Sequence, residues 1–220
     1  MGISERKEKE KEIRRNDIID ASEKVFFSRG YDAATMDDIA KEAEFSKRTV
    51  YCYFNSKEQL YFEIMVRGYK ILIEMMETSV KNFEDDSLGK LKQIGRTLYK
   101  FNAEYAEYFD AIIGYENGER DFENGITDKS REECYALGEK MFSYLTSAIK
   151  DGIDEGSIRA ELDIVNTSIV LWSCTVGLFN TLNKKRNYIN HYYKRNTEDL
   201  LLEGFDMLIT SIEKGGEGMK

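Results

Sequence analysis

Apolar residues recur along this chain at the three-to-four spacing of helices, and nowhere is there a sustained strand-like alternation. From about Glu10 to Arg29 the positions Ile13, Ile18, Ile19, Ala21, Val25 and Phe26 predict a first helix, with Gly30 as its stop. Three helix starts then crowd together. Thr35 opens a Thr-x-x-Asp capping box with Asp38 at the positive end of its helix. Ser46 is a second N-cap, and Ser56 a third with Gln59 placed to bond back to it. Short helices packed so closely predict a helix-turn-helix over about residues 35–54.

From Ser56 a long helix runs to about Val80, with Ile64, Ile71, Leu72, Met75 and Met76 on its apolar face. Further helices are expected at about 88–117, 127–153, 163–183 and 197–213. The breaks between them are the acidic tract Glu84–Ser87, Gly118, Gly125, the stretch from Asp151-Gly152 to Gly156, and polar Asn183–Asn196. With no proline anywhere, nothing but glycine and capping residues interrupts a helical chain. The expectation is an all-α protein with a three-helix head (1–57) and a C-terminal helical bundle (58–220).

Charge sharpens that division. The net charge of −9 looks wrong for a nucleic-acid binder, but residues 1–57 hold 12 basic and 12 acidic side chains, and the remainder 20 and 29. An acidic body joined to a neutral head is repelled by DNA everywhere except at the head. Ser4–Glu12 lacks the apolar core of a signal peptide, and no apolar run suffices to span a membrane. Cys52, Cys134 and Cys174 form no CxxC pair, which fits a reducing compartment, so the expected location is the cytoplasm. A single histidine, His191 in a polar stretch, argues against a transition-metal site, and no cofactor is expected. The chain has no phosphate loop, nucleophile elbow or His-centred triad, so an enzyme is disfavoured. Cys52 reads as a small helix filler; the alternative is a redox switch with Lys47 and Arg48 lowering its pKa.

Within the helix-turn-helix, Ile39, Ala40 and Ala43 face Val50 and Phe54, which lie four apart on the next helix. That turns Lys47, Arg48 and Tyr51 outward, on a face suited to a major groove, with Lys47 and Arg48 the candidates for base edges. Thr49, Tyr51 and Tyr53 carry hydroxyls suited to phosphate, and Thr35 and Lys57 sit at helix N-termini where backbone amides also attract it. With the capping residue Ser46, these form the candidate DNA-binding set.

The pattern Thr-x-x-x-Ile-Ala-x-x-Ala from Thr35, followed by Ser-x-x-Thr-Val-Tyr-x-Tyr-Phe-x-Ser-Lys-Glu-x-Leu from Ser46, closely resembles the N-terminal domain of TetR-type transcriptional regulators. The resemblance covers about Glu12 to Tyr69 and includes Phe26-Phe27-x-x-Gly30-Tyr31. It implies a homodimeric regulator, usually a repressor, acting on a double-stranded DNA operator. It further implies an all-helical C-terminal domain that binds a small-molecule effector, changes the separation of the heads and releases DNA. Two residues depart from the pattern. Glu44 stands in the turn where the family usually has glycine, and Arg48 stands where the family favours glycine after the cap serine. A non-glycine residue forced to positive φ at Glu44 costs about 1–2 kcal/mol.

In the body, Val170, Ser173, Gly177 and Thr181 form a stripe of small residues, and Gly177 inside a helix suggests close approach by another helix. Leu201, Phe205, Leu208 and Ile212 recur at helical spacing on the last helix. Two such helices from each of two chains make a four-helix dimer interface. The alternative is that they are simply core. Aromatic residues are dense from Tyr99 to Tyr144, Phe122 among them, and Phe101, Tyr105, Phe109, Met141, Trp172 and Phe179 are the candidates for an apolar effector cavity, against ordinary helix packing. A DNA-binding architectural protein without a ligand is the rival function, and an enzyme in the bundle a weaker one.

Overall fold

The computed structural model describes residues 3–81, 86–116 and 129–215. Among these residues regular structure is helical, apart from one isolated antiparallel bridge between Ile158 and Glu213. Gly118, Phe122, Gly125 and the Glu84-Asp85 half of the acidic tract lie outside the described residues.

The first helix, α1 (Ile3–Arg29), starts earlier than its apolar pattern, because the charged arm contains no breaker and carries i,i+4 pairs such as Arg14–Glu10 at 2.9 Å. Ile18, Ile19, Ala21, Val25 and Phe26 are buried as expected, whereas Ile13 is exposed. Gly30, at φ +77°, ends the helix. Next come α2 (Met36–Glu42), α3 (Lys47–Tyr53) and α4 (Lys57–Val80). Thr35 accepts the Asp38 N–H while Asp38 accepts the Thr35 N–H, completing the capping box. Ser46 accepts from the Thr49 N–H, and Ser56 from that of Gln59.

The expected helix 88–117 is two helices, α5 (Ser87–Glu104) and α6 (Ala106–Glu116), separated at Tyr105 with φ −134° and ψ 48°. Leu98 and Phe101 before it and Phe109, Ile112 and Ile113 after it are all buried, but in different compact units of the chain. Next is α7 (Lys129–Glu155). Gly152 lies inside it, where a Cβ would stand 2.5 Å from Ile158, and the stop is Gly156 at φ +83°.

The helix α8 (Ile164–Tyr188) does not end at Asn183; it continues into a π-helical turn, Ile189–Tyr193, before Lys194 at φ 54° and α9 (Thr197–Ile212). Ile164–Tyr193 is long and apolar enough to cross a bilayer by length and composition, contrary to the expectation of no such stretch. Asn166, Thr167, Ser173 and Thr175 interrupt its apolar runs, but no charged residue falls between Ile164 and Asn183. Its apolar residues serve two faces: Leu171, Val176, Phe179 and Leu182 are buried, while Val165, Ile169 and Val170 are exposed.

The chain divides into two compact units, Met1–Lys70 with Glu107–Leu137, and Ile71–Ala106 with Gly138–Lys220. The first unit therefore extends past residue 57, because Leu60 and Ile64 of α4 complete the core begun by α1, α2 and α3.

Candidate nucleic-acid interface and effector cavity

Ile39 and Ala40 of α2, Val50 of α3 and Phe54 share one apolar cluster with Ile18 and Phe26 of α1 and Leu60 and Ile64 of α4. Val50 is 0% exposed and Phe54 1%, so the rotation of α3 is fixed and its opposite side faces solvent. Lys47, Arg48, Tyr51 and Cys52 are exposed there.

Lys47 donates to Asp37 of α2 at 2.7 Å, and that carboxylate holds the ammonium above the usual lysine range. Arg48 makes no ion pair with any described residue, which leaves its guanidinium available to a base edge or phosphate. Thr49 and Ser46 share a hydroxyl–hydroxyl bond at 2.8 Å. Tyr53 is half-buried against the apolar cluster, so only part of it faces outward. The Thr35 hydroxyl donates to Asp38 at 2.6 Å, and that bond is the main reason the Asp38 carboxyl lies below its ordinary range.

Lys57, expected at a phosphate, has its hydrogen-bond partners within its own unit. Its ammonium donates to the carbonyl oxygens of Tyr31 at 2.7 Å and Ala34 at 2.9 Å, and lies 4.3 Å from the centre of the Tyr31 ring. A third, longer bond reaches the Asp32 carbonyl oxygen at 3.5 Å, so each of the three ammonium donors has an acceptor in the loop. Lys57 therefore fastens the start of α4 to the α1–α2 loop.

Pattern reading missed several charged residues that fix the first unit. Arg67 of α4 pairs with Asp20 at 2.7 Å and Glu23 at 3.1 Å on α1, and the Tyr108 hydroxyl of α6 donates to the same Glu23 at 2.7 Å. Burial first, and the Glu23 carboxylate second, push the Tyr108 phenol well above its ordinary range. Arg15 and Ser130 both donate to Glu63, and Arg15 also stands 5.2 Å from the Phe54 ring centre. These partners lie far apart in sequence, so helical periodicity carries no sign of them.

In the second unit, α5, α7, α8 and α9 line a small, partly open cavity of about 40 Å³. Ile94, Leu98, Met141, Trp172, Phe205 and Leu208 are among its walls. Of the predicted cavity residues, Met141 and Trp172 line it. Phe101 and Phe179 are buried without lining it, Tyr105 is half-buried beside Phe101 with ring centres 5.7 Å apart, and Phe109 belongs to the first unit.

The predicted dimer residues also divide. Val170, Ser173, Gly177 and Thr181 are exposed along α8, and a Cβ on Gly177 would meet nothing within 4 Å. Leu201, Phe205 and Ile212 are instead buried within their own chain, and Leu208 is half-buried at the cavity. The stripe on α9 is its inward face, since the glycines of α5 and α9 let helices close on it. A Cβ on Gly95 would stand 3.0 Å from the Phe205 ring, and one on Gly204 2.8 Å from Leu178.

A capped helix-turn-helix with a solvent-facing second helix, carried by an all-helical chain, is the architecture of a DNA-binding transcriptional regulator. Residues 18–64 match the family described as bacterial regulatory proteins, tetR family. The chain is 31% identical over 144 residues to the HTH-type transcriptional regulator YhgD of Bacillus subtilis (strain 168), covering 64% of this chain and 70% of that one. It is 26% identical over 130 residues to IcaR, the negative transcriptional regulator of the biofilm operon icaADBC in Staphylococcus aureus (strain Newman), covering 58% and 67%. FadR of Bacillus subtilis, solved in complex with stearoyl-CoA, shares the fold, with a TM-score of 0.67 and 20% identity over 89% of this chain and 98% of that one. The chain belongs to the TetR family, which consists of transcriptional regulators and not enzymes.

Proposed function

We propose that this regulator is a cytoplasmic, homodimeric repressor that two heads hold on a near-palindromic operator and a small-molecule effector releases. The observation that carries this reading is the exposed row Lys47, Arg48 and Tyr51 on α3, opposite a side that Val50 and Phe54 bury completely. Lys47 and Arg48 are the base-reading candidates; Thr35, Ser46, Thr49, Tyr51 and Tyr53 surround them with hydroxyls for the phosphates. One such head reads one half-site, and a dimer reads two, about one helical turn or a little more apart.

Support for the dimer comes from α8. Val165, Ile169 and Val170 are at least half exposed, Ser173, Gly177 and Thr181 continue their side of the helix, and Met207 of α9 is 74% exposed. Only 22% of the most apolar stretch of α8 is buried within the chain, and a second copy of α8 is the natural cover for the rest. Repression is supported by the negative regulator IcaR among the relatives, although the sign of regulation depends on where the operator lies. The cavity supports an effector over an architectural DNA binder.

The test is binding to DNA upstream of the protein's own gene against random duplex, at two salt concentrations. The expected result is a preference of about a thousandfold or more that persists at the higher salt. Equal, salt-labile binding to both duplexes would refute the reading. Arg48→Ala should relax specificity at one operator position, by about 1–3 kcal/mol.

A further inference from the structure

Among the described residues, the cavity between α5, α7, α8 and α9 has no ionisable residue in its lining, and Thr175 and Trp172 supply its only hydrogen-bonding side chains. Both are half-buried, as is Phe142, while Ile94, Leu98, Met141 and Phe205 form a buried apolar floor. Lys92, the cation next to the lining residue Leu91, is paired with Asp206 at 3.0 Å and is not part of the lining. A carboxylate, phosphate or ammonium placed inside would lose its hydration without gaining a counter-charge, a penalty of several kcal/mol. A hydroxyl or carbonyl oxygen, by contrast, has two suitable partners: the Trp172 indole donates only, and the Thr175 hydroxyl donates or accepts.

We propose that the effector is uncharged and mostly apolar, with a single hydroxyl or carbonyl group that meets Thr175 and Trp172. This rests on the reading of the bundle as an effector domain and narrows it to one chemical class. At about 40 Å³ the cavity is smaller than a typical ligand site, so binding expands it. The side chain placed to yield is Phe205, whose ring already presses on the open side of Gly95.

Trp172 is the sole tryptophan of the chain, so its fluorescence reports the cavity alone. The full-length protein is titrated at neutral pH with 1-octanol, octanoate and octylamine, which share one alkyl chain and differ in head-group charge. The expected result is a saturable change with octanol, at a half-saturating concentration at least about tenfold below those of the two ions. Thr175→Val, which removes the hydroxyl at nearly constant volume, should weaken octanol about fivefold. Ions that saturate as tightly as octanol would overturn the charge rule while leaving an effector site in place. A response absent for all three compounds, or rising without saturation and unchanged by Thr175→Val, would overturn the site itself. Operator binding by the same protein, followed with a labelled duplex, shows separately whether the regulator reading stands.

Discussion

The Lys47 ammonium of α3 lies 2.7 Å from the Asp37 carboxylate of α2. Both side chains are more than half exposed, so the pair adds little to stability. Its consequence is for DNA. A lysine that reads a base or phosphate must first leave Asp37, and Asp37 then stands near the DNA as an uncompensated negative charge. Asp37→Asn should therefore raise affinity for operator and random duplex alike. The logarithm of the binding constant should also fall more steeply with the logarithm of salt, by about one unit of slope for a gained phosphate contact. Fluorescence anisotropy of labelled duplexes across a salt series measures both; an unchanged slope would mean that Lys47 makes no phosphate contact.

Glu44 occupies the turn between α2 and α3 at φ 56°. Its amide donates to Lys41 at 3.2 Å and that of Phe45 to Ala40 at 3.0 Å, so the turn depends on this left-handed residue. Glu44→Gly removes a strain of about 1–2 kcal/mol and adds unfolded-chain entropy of about 0.4–1 kcal/mol. The net expectation is a stabilisation of roughly 0.5–1 kcal/mol, read from urea unfolding. Glu44→Ala, still a left-handed L-residue, should show little of this gain.

The head was legible in the sequence because its information is local. Caps at Thr35, Ser46 and Ser56, the Val50–Phe54 spacing and the stop at Gly30 each act within a few residues, and the structure places all of them as read. The body was less legible. An apolar stripe such as Leu201–Phe205–Ile212 says that a helix is covered, but not whether its own chain or a second copy covers it. The deciding signals were Gly95 and Gly204, whose missing side chains admit Phe205 and Leu178 from other helices. Tyr105 breaks a helix with no glycine or proline to announce it in the sequence. Lys57 illustrates the same limit: its position at a helix start suggested phosphate, and the loop carbonyls that hold it come from more than twenty residues away.

That loop gives a prediction separating architecture from contact. Lys57→Met keeps the aliphatic stem but abandons the Tyr31 and Ala34 carbonyls. The expected cost is about 1–3 kcal/mol in unfolding free energy, typical of hydrogen bonds to a charged donor. DNA binding should weaken in equal proportion on operator and random duplex, with the salt slope unchanged. A slope reduced by about one, with stability intact, would return Lys57 to the phosphate-contacting set.

Chemical reactivity should distinguish the three thiols. Cys134 is buried on α7, and burial, aided by the nearby Glu116 and Glu133 carboxylates, pushes its thiol up to about 12; Cys52 and Cys174 are exposed. The thiolate is the reactive form, so a disulfide reagent at neutral pH should modify Cys52 in the native protein and reach Cys134 only after denaturation, while Cys174 lies on the α8 face assigned to the second copy. The same shift links Cys134 to stability at high pH. Its folded pKa lies above the unfolded thiol value of about 8.5, so its contribution is complete below that value. As pH rises from there towards 12 the unfolded state releases the proton first, and the contribution is lost. Cys134→Val removes the titration while keeping a small apolar side chain. Unfolding free energies of the two proteins, measured in parallel, should run at a constant offset near neutrality and then shift in favour of the valine variant above about pH 9. An offset that stays constant through the alkaline range, or native-state labelling of Cys134 as fast as that of Cys52, would place Cys134 in a wetter site than the packing of α7 provides.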